Sequence, residues 1–331
     1  MNIEREDLID ILSNDSLYKN NFTKISFVEL SSYEYIILTL FQKNRNSYQD
    51  NIMFYFCGYD DYFYHTYIFN YEKLNFDILV IDIPGFGFNK KYNTSKSNIK
   101  NNYYDDINKL NNNLDIVFNY INNHHTYSNY KKKYLYGHST GGNIIINYLY
   151  HLQKHNRLKN SFDKVILNSP LTRFSLDPQN KSLIKWIIEW LFKNIINIIG
   201  LFIKDFDIKI FFDKNNKIKF NKTKNKILNS IYKTNNINYV NLKYSYNYTA
   251  PIFIAWLICA ERSIHKIIEK NRKINTKIKL MISKNDKILN YKYIKDDIEQ
   301  IFESAEIKVY DGIHDCLLTE HYKMVLKYIL N

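Results

Sequence analysis

Four short, nearly unbroken apolar runs constrain this chain more than any other feature: IMFYF at 52–56, DILVID at 77–82, KYLYG at 133–137 and KVILNS at 164–169. They lack the in–out alternation of a half-solvated strand, so each predicts a strand buried on both faces, as in a parallel sheet. A sheet covered on both faces needs crossover helices, and helical patterns fall where they are needed, over roughly 105–122, 141–155 and 251–270. Two more runs, KIKLMIS (277–283) and EIKVY (306–310), alternate with helical patterns at 291–303 and 319–330. Ahead of them all lie a short amphipathic helix at 3–12 and two strand-like runs, 22–30 and 35–42, hinged at Ser31-Ser32 as in a hairpin. The expectation is an α/β fold, a mostly parallel doubly wound sheet of about eight strands with an antiparallel start.

The rhythm breaks once. From about Leu171 to Ala250 no strand–helix alternation is visible, only an apolar helix pattern and Asn/Lys-rich stretches. So long an excursion predicts a functional insertion, which divides a single domain into a core (1–170 and 251–331) and an inserted cap (171–250). With 45% hydrophobic residues in 331, there is ample apolar surface for one core. The net charge of +13 comes from lysines scattered through a chain rich in Asn, Ile, Lys and Tyr. No basic block or basic-aromatic module is present, so nucleic acid is not an expected partner. Cys57, Cys259 and Cys316 form no CxxC pair, which argues against a disulfide framework and against zinc. The start, MNIEREDLIDIL, lacks a signal-peptide core, and the most apolar window, 183–203, carries Lys185, Glu189 and Lys193. A soluble, cytoplasmic protein is expected.

Glycine usage points to chemistry. Of only eight glycines, three fall in YGHSTGG (136–142), and Gly137-His138-Ser139-Thr140-Gly141 is G-x-S-x-G between a strand and a helix. That is the setting of a nucleophile elbow. A strained turn lifts the serine above the sheet, Gly137 and Gly141 let strand and helix pass closely, and the Thr140 N–H at the helix N-terminus can stabilise an oxyanion. Gly58, Gly85, Gly87 and Gly312 also follow predicted strands, at the sheet end where open α/β sheets build their sites. His314 follows EIKVY through Asp311-Gly312-Ile313, where an imidazole can reach the serine, whereas His151, His155, His265 and His321 lie on helical patterns. Asp286, just past KIKLMIS and 28 residues before His314, is the candidate orienting acid. Its rivals Asp311 and Asp315 share the histidine's own loop and are expected to cap or to face solvent. The loop Cys57-Gly58-Tyr59 nominates the Tyr59 N–H as second oxyanion donor.

Together FYFCGYDD, VIDIPGFG, YGHSTGG, VILNSPL, SKNDKIL and GIHDCLL, spread over about 50–320, resemble the serine hydrolases of the α/β-hydrolase superfamily. Within it the chain is most similar to the monoacylglycerol lipase, lysophospholipase and serine aminopeptidase-like group. The resemblance implies ester hydrolysis through an acyl-enzyme on Ser139, with His314 as base and Asp286 behind it, and with no metal or organic cofactor. The substrate would be a small-molecule acyl ester or lipid. The cap would cover the acyl pocket, with Trp186, Trp190, Tyr248 and Trp256 as candidate substrate-binding residues, and its apolar helix at 182–204 could touch a membrane surface transiently. One departure is Cys57, which stands where the group usually has the histidine of a His-Gly pair. Two alternatives stay open: an aminopeptidase or amidase using the same residues, and a catalytically silent binding protein of this fold.

Overall fold

A computed structural model describes residues 5–14, 18–31, 34–43, 49–89, 100–175, 254–319 and 321–331. The first helix, α1 (Arg5–Asn14), leads into the antiparallel pair β1 (Phe22–Ser31) and β2 (Glu34–Phe41). Then follow β3 (Asn51–Phe56), β4 (Phe76–Asp82), α2 (Ile107–Asn123), β5 (Lys132–His138), α3 (Thr140–Lys154) and β6 (Lys164–Asn168). The chain closes with α4 (Ile254–Glu269), β7 (Ile274–Ser283), α5 (Tyr291–Ile301), β8 (Phe302–Tyr310) and α6 (Tyr322–Leu330). Each element lies within a few residues of its sequence expectation.

The strands form one eight-stranded sheet in the order β1-β2-β4-β3-β5-β6-β7-β8. Only the β1–β2 and β2–β4 pairings are antiparallel; all pairings from β4 through β3 to β8 are parallel. The apolar runs divide by the two-residue period of a strand. Ile52, Phe54, Phe56, Leu79, Ile81, Leu135, Val165, Leu167, Leu280 and Ile282 face one layer, shared with the buried stripes of α2, α3, α4 and α5. Met53, Tyr55, Ile78, Val80, Tyr136, Ile166 and Met281 face the other, with α1, a 3-10 turn at Thr66–Asn70, and α6. Burial on both faces is why these strands are continuously apolar. By contrast β8, paired on one side by β7, carries the pattern of a half-exposed edge.

The parallel order brings the ends of β3, β5, β6, β7 and β8 to one rim. There the loops after β3, β4, β5, β7 and β8 meet. Among the described residues no helix is long and apolar enough to cross a membrane. The cap assignment falls almost wholly outside the described residues; Leu171 to Ser175, its first five, are anchored to the core. Phe174 N–H donates to Glu261 on α4, and Arg173 pairs with the buried carboxylate of Asp297 on α5.

Candidate active site

Ser139 sits between β5 and α3 with φ 52° and ψ −115°, a region L-residues rarely occupy. Such a conformation costs about 1–3 kcal/mol and persists only where neighbours over-determine it. They do so here: Ser139 N–H donates to Asn168 O at 3.0 Å, and Ser139 O accepts from Leu171 N at 2.9 Å and Asn143 N at 3.2 Å. Sterics explain the flanking glycines. A Cβ on Gly141 would lie 2.2 Å from Phe56 O, and one on Gly137 would lie 2.7 Å from Gly141 O and Gly142 N. The turn therefore packs against the end of β3 as well as on itself, and Thr140 begins α3 with its N–H in the first turn.

His314 and Asp286 meet as their loops suggested. His314 Nδ1 lies 2.6 Å from Asp286 Oδ2, both side chains being buried. The other carboxylate oxygen accepts Ile288 N–H at 2.7 Å and Leu289 N–H at 3.1 Å, which fixes the acid without involving the histidine. A carboxylate at Nδ1 selects the tautomer with its proton there and leaves Nε2 as the acceptor. The His314 ring packs 4.9 Å from the ring of His138, the residue immediately before Ser139, so the histidine loop and the elbow are in contact. His138 itself faces Asp61, Nδ1 to Oδ2, at 3.3 Å.

The loop after β3 closes the third side. At Gly58 a Cβ would come 3.2 Å from the Ser139 Cβ, so Tyr59, the next residue, follows a point where this loop lies against the serine. The Tyr59 ring packs 4.5 Å from that of Trp256, in the first turn of α4, and Tyr104 adds an edge contact to Trp256 at 6.4 Å. Trp256 is 5% exposed, so it forms the floor under Tyr59 rather than an open wall. Trp186, Trp190 and Tyr248 lie outside the described residues. Cys57 places its thiol 3.8 Å from Asp82 Oδ1, while Asp82 Oδ2 accepts Phe88 N–H at 3.1 Å.

The two rival carboxylates part company. Asp311 does face solvent, paired with Lys284 at 2.7 Å, but Asp315 is buried. Its Oδ2 meets His65 Nε2 at 2.8 Å, and its Oδ1 accepts Asn168 Nδ2 at 2.8 Å and Leu317 N–H at 3.0 Å. The local Leu317 bond is the expected cap; the rest is a network under the histidine loop. Asn168 also donates to the Tyr136 hydroxyl at 2.7 Å and accepts Cys316 N–H at 3.1 Å, and Tyr55 OH lies 3.3 Å from His65 Nδ1. Burial, then the Asp315 charge, push the Tyr136 hydroxyl well above its ordinary range. The same two causes raise the Cys316 thiol well above its ordinary range. Among the described residues no cluster of three or more His, Cys, Asp or Glu side chains could hold a metal ion.

The family described as serine aminopeptidase, S33, matches residues 56–321. No curated protein sequence matches the chain. Among solved structures, a soluble variant of monoglyceride lipase from Saccharomyces cerevisiae superposes with a TM-score of 0.59 at 14% identity, over 92% of this chain and 93% of that one. The monoacylglycerol lipase of Paleococcus ferrophilus gives 0.54 at 12% identity, over 89% and 98%. Est1E from Butyrivibrio proteoclasticus, with ferulic acid bound, gives 0.52 at 11% identity, over 92% and 96%. At these identities the likeness speaks for the fold.

Proposed function

Because the chain belongs to the serine aminopeptidase S33 family and has the α/β-hydrolase fold, we propose that it is a serine hydrolase cleaving a carboxylic ester with a lipid-like or medium-chain acyl group. The observation that carries this reading is the buried His314–Asp286 pair at 2.6 Å, packed against the strained elbow that bears Ser139. In the reaction so read, His314 Nε2 takes the Ser139 proton as the oxygen attacks the ester carbonyl. The N–H groups of Thr140 and Tyr59 receive the charge that develops on the carbonyl oxygen. His314 returns the proton to the leaving alcohol, then activates the water that frees the acyl group. Asp286 holds the His314 ring and stabilises the imidazolium.

An acyl substrate is favoured by the half-buried Tyr59 ring beside the elbow, which stands on the buried Trp256 and offers apolar contact. We assign the insertion at 171–250 as the cap over that substrate, with Trp186, Trp190 and Tyr248 contributing to its acyl side. Contact of its apolar segment, 182–204, with a lipid surface belongs to the same proposal. The family's description favours one second reading, cleavage of aminoacyl amides by the same residues. A panel of p-nitrophenyl esters from acetate to laurate, run beside aminoacyl p-nitroanilides, tests both. Turnover of the longer esters above acetate is expected, and it should vanish in Ser139→Ala. No ester turnover at any chain length would sink the esterase assignment, and turnover of anilides alone would transfer it to the second reading.

A further inference from the structure

Gly58 and Asp60 bracket the Tyr59 amide, and the second of them is clamped from a different loop. We propose that Asn102, outside every element that supplies a reacting group, is the positioning residue that aims the Tyr59 N–H at the developing oxyanion. This inference rests on the hydrolase reading above. Asn102 is 1% exposed and has φ 56°. Its side chain grips Asp60 at both ends: Oδ1 accepts Asp60 N–H at 3.1 Å, and Nδ2 donates to Asp60 Oδ1 at 3.3 Å. Its own N–H donates to Gly85 O at 2.8 Å. One side chain thereby links the loop after β3 to the loop after β4.

Two features mark this clamp as more than loop packing. Asp60 also has positive φ, 51°, so two non-glycine residues in the left-handed region face each other through reciprocal bonds. Asn and Asp are the residue types that tolerate this region, and glycine there would be unstrained but would remove the grip. The second feature is what the clamp restrains. The Tyr59 N–H belongs to the peptide that follows Gly58, the residue with the widest backbone freedom in this loop. Upstream, Gly58 is set against Ser139 and His138, where a Cβ would come within 3.2 and 3.0 Å. Downstream, the bond from Asp60 N–H to Asn102 holds the peptide after Tyr59. Holding both ends, with the Tyr59 ring packed on Trp256, restrains how far its N–H can turn. The far side of the clamp is tied down at Gly85 and Phe88. Gly85 has φ 79°, a Cβ on it would lie 2.4 Å from Lys100 O, and Asp82 ties down this loop through Phe88 N–H at 3.1 Å. Cys57, one residue ahead of Gly58, contributes only a thiol, a weak donor.

The test measures kcat, KM and the affinity of a boronic acid whose tetrahedral adduct fills the oxyanion hole, in each case per active site titrated with a fluorophosphonate. Asn102→Gly keeps the backbone conformation accessible while deleting the grip. Its kcat should fall about ten-fold or more, short of the 10²–10³-fold typical of losing a donor outright. KM should stay within about two-fold, since ground-state binding does not use the hole, and boronate affinity should fall in step with kcat. Asn102→Asp, isosteric but carrying a second carboxylate against Asp60, should show the same pattern. The double exchange Asp60→Asn with Asn102→Asp reverses the reciprocal pair and should restore kcat. A wild-type protein that turns over esters with Asn102→Gly and Asn102→Asp unchanged per titrated site overturns the inference alone. So does a double exchange that stays as slow as Asn102→Asp. A wild type that neither titrates nor turns over overturns the hydrolase reading, and this inference with it.

Discussion

Residues 314 and 315 are neighbours in the chain, yet each joins a different buried histidine–carboxylate pair on opposite sides of one loop. His314 meets Asp286 at 2.6 Å, and Asp315 meets His65 at 2.8 Å. As pairs they are nearly alike; their surroundings are not. Both ring nitrogens of His65 are engaged, Nε2 by Asp315 and Nδ1 by Tyr55 OH at 3.3 Å. Among the described residues His314 engages a partner through Nδ1 alone, and it packs beside the elbow. On the proposed reading, a nitrogen left over next to a nucleophile makes one pair chemical, and full engagement makes the other a fastener for the loop that presents the first.

Substitutions of equal size should separate the two. Asp286→Asn retains the oxygen that accepts Ile288 and Leu289 N–H, so the fold should hold. It presents an amide to His314 Nδ1, favouring the wrong tautomer, and kcat should drop about 10⁴-fold in an ester assay. Asp315→Asn should do the reverse. Breaking a buried pair should lower the free energy of unfolding by about 3 kcal/mol in urea titration, with kcat at low temperature within about ten-fold of wild type. If Asp315→Asn abolished turnover without loss of stability, the division of labour drawn here would be wrong. Adding His65→Gln to Asp315→Asn should cost less than the sum of the two, with a coupling of about 1–3 kcal/mol, because the partners share one interaction.

A third carboxylate, at the opposite end of the sheet, sets the scale for an acid without such burial. Asp115 on α2 gathers Arg157, His151 at 3.0 Å and Tyr148 OH at 3.0 Å. Burial pushes its carboxyl up, but the hydrogen bonds from Arg157, His151 and Tyr148 outweigh it and hold the group below the usual carboxylate range. A depressed folded value means stability that is present above the unfolded carboxylate range and lost as pH falls through the folded value. The Arg157 side chain is 47% exposed and its charge is screened. Asp115→Asn should therefore cost under about 1 kcal/mol at neutral pH, and the difference should vanish at acid pH.

Much of this architecture is legible in the residues. Strands buried on both faces write themselves as IMFYF or DILVID, and the elbow is marked by glycines whose absent side chains the β3–α3 contact requires. The chain order of Ser139, Asp286 and His314 places the pair because strand and loop together fix where each residue emerges. Asp315 was hidden because its partners, His65 and Asn168, stand 250 and 147 positions away, and a polar residue in a loop looks the same whether buried or wet. Asn102 was hidden by abundance. In a chain crowded with asparagine, one that clamps another loop carries no sequence mark beyond its neighbours. The sequence marks Trp256 as a candidate substrate-binding residue, but only packing shows that it is buried and supports Tyr59.

Ser139 is the residue on which the proposed reaction turns, and the most direct test is covalent. Folded wild-type protein would be treated with a fluorophosphonate and followed by intact mass and peptide mapping, beside Ser139→Ala, Asp286→Asn and Asp315→Asn. The prediction is one adduct, on Ser139, absent in Ser139→Ala, formed much more slowly in Asp286→Asn and at close to the wild-type rate in Asp315→Asn. An adduct on any other residue, or none on a protein whose unfolding transition shows it to be folded, would contradict it.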